Sequence, residues 1–502
     1  MSRDSNLTQL QLIVSLASAG DNEAAAEHAR RIEDNASAAE AWRAIGRVNA
    51  NLQRWDVARF AFRQAIGSAP FSRELRLEAA LVAERAGEHD AALEELESLA
   101  GAGVESPTLL VHLARALQFA GREDDAEAQL RAGLARWPVD VPLHQQLAHL
   151  RWRRGHEDTF IELLERTIGE YPREMALRLV AADLLRNAGQ SARALAMLEA
   201  GLALAPESPA FLTSVGVLLD ELDRVDEALL RLRAAQARAP DSPSARRNLL
   251  PTLLRVGDSA EALRLVEGLL AQAPDDQQLI AWRATALRVA GDAEYSRLHD
   301  YQRLVRPYPL RPPAEYPDIR AFNAAFACEL SELHRWSERP LTQSLRGGSQ
   351  TERNLPMNDA RYPAIAAFFR MLAEPIGDYL SRLDVAGHPT DRRRRSGWRV
   401  AGSWSVQLAP GGFHTNHVHP QGWLSSAYYV ELPEGVGANP GDRAGWLQFG
   451  EPGMARPVCA PDHFVQPEAG GLVLFPSYVW HGTVPFSEGG RRLTAAFDVL
   501  PV

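Results

Sequence analysis

Over the first 292 residues, apolar positions recur in pairs of helix-length segments with a fixed spacing. Prolines stand at Pro70, Pro138, Pro172, Pro206, Pro240 and Pro274, separated by 34 residues or twice that, and Val104 fills the missing step. Twelve residues before these positions a small residue returns at Ala58, Ala92, Ala126, Ala194, Ala228 and Ala262, with Phe160 the exception. A helical pattern ended by Pro and repeated at a constant period predicts a stack of antiparallel helix pairs, because one pair alone leaves an apolar face that only its neighbour can cover. Counting from residue 5 gives eight units up to about residue 276, followed by QLIAWRATALRVAG as a capping helix. The first unit is the weakest, with only Ala24 and LQLIVSL fitting.

Beyond residue 292 the period is lost. YQRLVRPYPLRPPAEYPDI carries five prolines and predicts an extended connector. Helices are expected around 318–335 and 360–384, separated by SLRGGSQTERNL. From Trp398 the texture becomes short runs, WSVQL, SSAYYVEL, GLVLF and LTAAFDV, broken by Gly and Pro, which predicts antiparallel strands of a barrel or jelly roll. The expected layout is therefore an α + β multidomain chain: a solenoid over 1–292, a Pro-rich connector over 293–317, and a strand-rich domain with flanking helices over 318–502.

The best copy of the repeat, AWRAIGRVNANLQRWDVARFAFRQAIGSAP, has Trp42, Ile45 and Gly46 on one helix and Ala58, Phe62 and Ala65 on the next. This pattern resembles the tetratricopeptide repeat. Gly46 and Ala58 let two helices approach closely, and large apolar residues fill the groove beside them. Such a solenoid presents a long concave face suited to an extended peptide or another protein, or serves as architecture alone.

Composition narrows the chemistry. All 54 basic residues are Arg, against 64 acidic ones, for a net charge of −10. Without Lys the chain cannot form a Schiff base or supply a Walker A lysine. Two cysteines, Cys328 and Cys459, are too few for a four-Cys zinc site or an iron–sulfur cluster, so any metal must be held by His and carboxylates. The acidic balance argues against nucleic acid as a partner. MSRDSNLTQL lacks a basic stretch followed by an apolar one, and no run approaches about 18 apolar residues, so a soluble, cytoplasmic protein without a membrane partner is expected. Arg392 to Arg395 reads as a solvated loop, with docking of an acidic partner as its other use.

Five of the 14 histidines, His414, His417, His419, His463 and His481, fall within 68 residues of the strand-rich region. In HTNHVHPQGWLSSAYYV, His417 and His419 are separated by one residue, so on a strand both imidazoles project from one face. His481, in FPSYVWHGTVPF, offers a third ligand. Arg492 follows eleven residues later with Thr494 on the same strand face; Arg suits bidentate binding of a carboxylate, and Thr adds a hydrogen bond. The neighbouring Arg491 would serve if the register slipped by one. His414 and His463 read as supporting residues, Trp423, Trp446 and Trp480 as core, and only one of Tyr428 and Tyr429 can line the pocket.

The order HxH, distant His, Arg and a hydroxyl residue at +2 resembles the 2-oxoglutarate and Fe(II)-dependent oxygenases, over about the last 200 residues. It is especially similar to a group fused behind tetratricopeptide repeats. The resemblance implies a double-stranded β-helix, Fe(II) held by His417, His419 and His481, and the distal carboxylate of 2-oxoglutarate held by Arg492 and Thr494. It further implies oxidative decarboxylation of the cosubstrate with O2 to succinate, coupled to hydroxylation of a protein or peptide brought by the repeats. His419 stands where most such enzymes have Asp or Glu; imidazole suits iron and leaves positions for cosubstrate and O2. Two other readings compete: a repeat scaffold carrying a catalytically silent jelly roll, and a three-His cupin-type dioxygenase that uses no 2-oxoglutarate and has no need of Arg492.

Overall fold

The computed structural model describes residues 3–52, 54–334, 341, 344–351, 354–384, 387–395, 397–434, 436 and 441–502. The chain forms two compact units, Met1–Tyr171 and Pro172–Val502.

The first unit consists of five antiparallel helix pairs, from Arg3–Ala19 with Asn22–Arg30 to Val141–Arg153 with Glu162–Glu170. In the pair Asn35–Asn51 and Trp55–Ser68, a Cβ at Gly46 would fall 2.7 Å from the Phe62 ring, so the helices close on each other only because residue 46 has no side chain. Trp42, Ile45, Ala58, Phe62 and Ala65 are buried as the amphipathic pattern requires. The repeat prolines act through the residue before them: Ala69 and Trp137 leave the helical region at ψ 70° and 71°, where a following Pro forces them out, and the helices end there.

The second unit begins with three more pairs, starting at Met175–Asn187 and ending at Ser259–Leu270, and a single helix, Gln277–Ala290, stopped by Gly291 at φ 69°. The stretch read as an extended connector is ordered differently. It holds two helical turns, Glu294–Leu298 and Tyr301–Leu304, and then an edge strand. Among the described residues the strands are β1 Arg306–Pro309, β2 Leu345–Gln350, β3 Trp398–His414, β4 Leu424–Glu431, β5 Leu447–Phe449, β6 His463–Val465, β7 Gly471–Pro476, β8 His481–Thr483 and β9 Arg492–Pro501. They form two antiparallel sheets, one in the order β1-β7-β4-β9-β3-β2 and the other β6-β5-β8. Pro307 and Pro309 are tolerated in β1 because it lies at the sheet edge.

Strand alternation divides the labour of the large sheet. Leu493, Ala495, Phe497 and Val499 of β9 pack, with Tyr428 and Leu472, against Phe322, Phe326, Ile365, Phe368 and Tyr379 of the flanking helices. The opposite face turns Tyr429, Val473 and Phe475 toward Leu447 and Phe449 of the small sheet. That face of β9 also carries Arg492, Thr494, Ala496 and Asp498. The last solenoid helix seals one side: Trp480 stacks edge-on against Trp282 at 5.0 Å and donates its indole N–H to Thr285 Oγ1 at 3.0 Å. The run Arg392 to Arg395 is not simply a solvated loop. Arg392 pairs with Asp275, Arg393 donates to the Gly422 carbonyl at 2.6 Å, and Arg394 to that of Leu383 at 2.7 Å.

Candidate metal centre

His417 and His419 lie in the irregular segment between β3 and β4, not on a strand. A single antiparallel bridge couples His417 to His481, with backbone N–H···O distances of 2.9 and 3.1 Å in the two directions. The His419 amide donates to the Ser477 carbonyl at 3.0 Å, and the Gly422 amide turns back to His419. These bonds, rather than strand alternation, bring the three rings together. Their centroids lie 4.3 to 5.2 Å apart, and one nitrogen from each falls within 4.8 Å of the others.

Each imidazole is oriented through Nδ1. His417 Nδ1 lies 2.8 Å from the Thr415 carbonyl, His481 Nδ1 2.9 Å from the Val479 carbonyl, and His419 Nδ1 2.6 Å from Asp498 Oδ1. Carbonyl oxygens only accept, so Nδ1 of His417 and His481 carries the proton and Nε2 keeps its lone pair. Burial and the neighbouring rings push the His417 pKa down to about 4 and that of His481 well below the ordinary value. Three converging imidazoles, each held through Nδ1, present a ready donor set for a transition metal.

Asp498 was not read from the sequence as part of this site. Its Oδ1 also accepts from Ser425 Oγ at 2.7 Å, and Ser425 is joined to Ser477 at 2.8 Å. The signal was available: six residues beyond Arg492, it falls on the same face of β9.

Arg492 is 2% exposed and its guanidinium carbon lies 5.2 Å from the Tyr429 ring centroid. Apart from the interaction between the two side chains, Arg492 Nε and Tyr429 Oη are buried without a hydrogen-bond partner. Burial pushes the Arg492 pKa down and the Tyr429 pKa up. Two adjacent buried donors that have only each other as neighbours gain from an added acceptor, and a carboxylate fits both in shape and charge. Arg491 is occupied instead, by Glu431 at 2.6 Å, Ser331 at 3.0 Å and Gln407 at 3.1 Å. Thr494 stands opposite Val406 and Tyr429, with its hydroxyl 3.5 Å from the Val406 carbonyl. Tyr428 faces away, donating to Asn323 at 2.6 Å, so Tyr429 is the tyrosine of the inner face.

His414 bonds Ser344 Oγ at 3.0 Å beside His417, while His463 stacks on Tyr301 at 4.8 Å. Trp423 and Trp480 are core residues; Trp446 is only half-buried.

Fold and site together define a helical-repeat protein carrying a two-sheet domain in which three histidines converge. Residues 402–498 match the family model described as "Putative 2OG-Fe(II) oxygenase", and residues 10–72, 50–107 and 179–243 match the tetratricopeptide repeat model. The chain thus contains tetratricopeptide repeats and, over 402–498, a stretch that matches that oxygenase family model. No curated protein matches it. Among solved structures, a tetratricopeptide repeat protein from Parabacteroides merdae ATCC 43184 aligns over 50% of this chain and 99% of its own, at 18% identity and a TM-score of 0.33. A thermophilic tetratricopeptide repeat protein of Thermus thermophilus aligns over 43% and 100%, at 24% identity and a TM-score of 0.25. No helix among the described residues is long and apolar enough to cross a membrane.

Proposed function

We propose that the domain over 318–502 is a 2-oxoglutarate and Fe(II)-dependent dioxygenase that hydroxylates a protein or peptide recruited by the repeats over 1–292, in the cytoplasm. The observation that carries this is the presence, in one domain, of a convergent three-His cluster and a buried Arg492–Tyr429 couple whose members have no hydrogen-bond partner beyond each other. In this reading His417, His419 and His481 hold Fe(II) through Nε2, and Arg492, with Thr494 beside it, grips the far carboxylate of 2-oxoglutarate. Iron and the keto acid, when bound, supply O2 activation with release of CO2 and succinate.

The chain's own residues bind, orient and exclude water. Asp498 and the carbonyls of Thr415 and Val479 fix the ring planes before any metal arrives, which lowers the ordering cost of binding. Phe475, 4.6 Å from the His481 ring, and Phe449 give the chamber an apolar wall on the small-sheet side. In such dry surroundings the cation of Arg492 attracts a carboxylate more strongly than it would in water.

The test is anaerobic titration of the full-length protein with Fe(II) and then 2-oxoglutarate, followed by charge-transfer absorption, and aerobic assay of succinate. Retention of iron and a charge-transfer band that both vanish in His481→Ala are expected. A wild-type protein that retains no iron and forms no succinate would overturn the proposal in favour of a scaffold. Iron retention without any response to 2-oxoglutarate would favour the cupin-type reading.

A further inference from the structure

Two cavities in the second unit share Arg186, Val217 and Asn248 and so form one trough. The first, about 610 Å³, runs between the helices Met175–Asn187, Pro209–Glu221 and Pro243–Arg255. The second, about 670 Å³, continues past Asn248 and Thr252 to Thr415, Asn416, Glu451 and Thr483, next to the metal-site histidines. A trough of this length bordered by successive repeat helices fits an extended chain rather than a small compact ligand.

The charges along it are nearly all settled internally. Arg186 is taken by Asp183 at 2.7 Å and Glu221 at 2.8 Å, and Asp220 by Arg255 and Thr252. Arg346 donates to its neighbour's carbonyl at Leu345. Glu451 differs. Its Oε2 accepts amide N–H groups from Asn416 at 2.7 Å and Gln448 at 3.2 Å, while Oε1 has no partner and no cation pairs with it among the described residues. The backbone packs closely around Asn416: a Cβ at Gly453 would come within 2.2 Å of the Asn416 carbonyl oxygen, and one at Gly482 within 2.3 Å of Asn416 Oδ1. A carboxylate held in place by two amides, half-buried and lacking a counter-charge, is complementary to a cationic side chain.

We infer that the substrate is an extended, basic peptide segment that lies along this trough and places an Arg or Lys side chain on Glu451, beside the metal site. The inference rests on the function proposed above and specifies its substrate. Glu451 is a specificity residue, distinct from the metal and cosubstrate machinery.

The experiment uses full-length protein loaded with Mn(II) and 2-oxoglutarate, and fluorescence anisotropy of labelled decapeptide pools. Each pool fixes a central Arg, Lys, Gln or Glu, with Gly, Ala and Ser randomised elsewhere. The Arg and Lys pools are expected to bind at least about tenfold tighter than the Glu pool. Glu451→Gln keeps both amide bonds and should abolish that preference; Glu451→Arg should invert it. Asn248→Trp fills the trough and should weaken binding of every pool. Mn(II) and 2-oxoglutarate affinity, measured by calorimetry, should stay unchanged in all three variants. Equal binding of the four pools, or a preference that survives in Glu451→Gln, would overturn the inference while the metal and cosubstrate titrations still stand. Loss of those titrations in the wild type would instead sink the underlying function.

Discussion

Asp498 Oδ1 lies 2.6 Å from Nδ1 of His419. In the proposed metal site a carboxylate would thus stand one hydrogen bond behind the three imidazoles. It polarises the imidazole and makes Nε2 a stronger donor. Asp498→Asn preserves an acceptor for the Nδ1 proton but removes the charge. Mn(II) affinity, by calorimetry on the full-length protein, should fall about 10–100-fold, the range for outer-shell partners of metal-bound histidine. An unchanged affinity would mean that Asp498 serves packing alone.

Arg492 opens β9 and Arg491 immediately precedes it with partners of its own, so the two make a built-in control. Arg492→Lys retains a positive charge but loses the planar fork and the buried Nε, and 2-oxoglutarate affinity should drop at least about tenfold. Arg491→Lys should change it less than about twofold. Its pair with Glu431 has both side chains more than a third exposed, so after solvent screening its loss should cost stability only about 0–1 kcal/mol. Cosubstrate titration of Mn(II)-loaded protein, with thermal melts of both variants, distinguishes the two. A larger loss in Arg491→Lys would reverse the assignment of the anchor.

The helical half was legible because its rule is local: a small residue, a groove-filling residue and a Pro at fixed spacing state the pair geometry in each repeat. The sequence singles out three histidines that the fold does bring together, although by another route than strand spacing. Convergence of His417 and His419 comes from backbone bonds to His481 and Ser477 around an irregular segment, which HxH spacing cannot express. Asp498 was hidden because it is 79 residues from His419, and a single Asp in LTAAFDV reads equally as a solvent-facing strand residue. The choice between Tyr428 and Tyr429 needed the register of β4 against β9, which aligns Tyr429 with Thr494 on the inner face. Strand β1 was lost inside a Pro-rich stretch because edge strands accept prolines that a sequence reader takes as breakers.

Gly46 gives the repeat geometry a direct test. A methyl group there meets Phe62 at 2.7 Å, on a ring packed in a buried cluster and unable to swing away. Gly46→Ala should therefore destabilise the first unit by about 1–3 kcal/mol, although Ala is the better helix former. Gly67, on the partner helix, has open space around its Cβ position, so Gly67→Ala should be neutral or slightly stabilising. Urea unfolding followed by circular dichroism compares the two, and equal midpoints would refute the close-approach argument.

His299 sets an acid limit on the second unit. The ring is 5% exposed, stacked on Tyr295 at 5.0 Å and edge-on to Tyr301 and Tyr478, and its Nδ1 has no partner. Burial pushes its pKa down to about 3 in the folded protein, against about 6.5 in the unfolded chain. Between these values the unfolded state binds the proton and the folded state does not. The stability His299 contributes is therefore complete above about pH 6.5 and is lost progressively as the pH falls toward 3. From pH 7 to pH 5 the loss from this one group amounts to about 2 kcal/mol. His299→Phe keeps a ring among the tyrosines and cannot protonate, so its melting temperature should fall less steeply than that of the wild type over the same interval. Melts of the metal-free protein at half-unit steps of pH measure both slopes, and parallel curves would show that the acid sensitivity lies elsewhere.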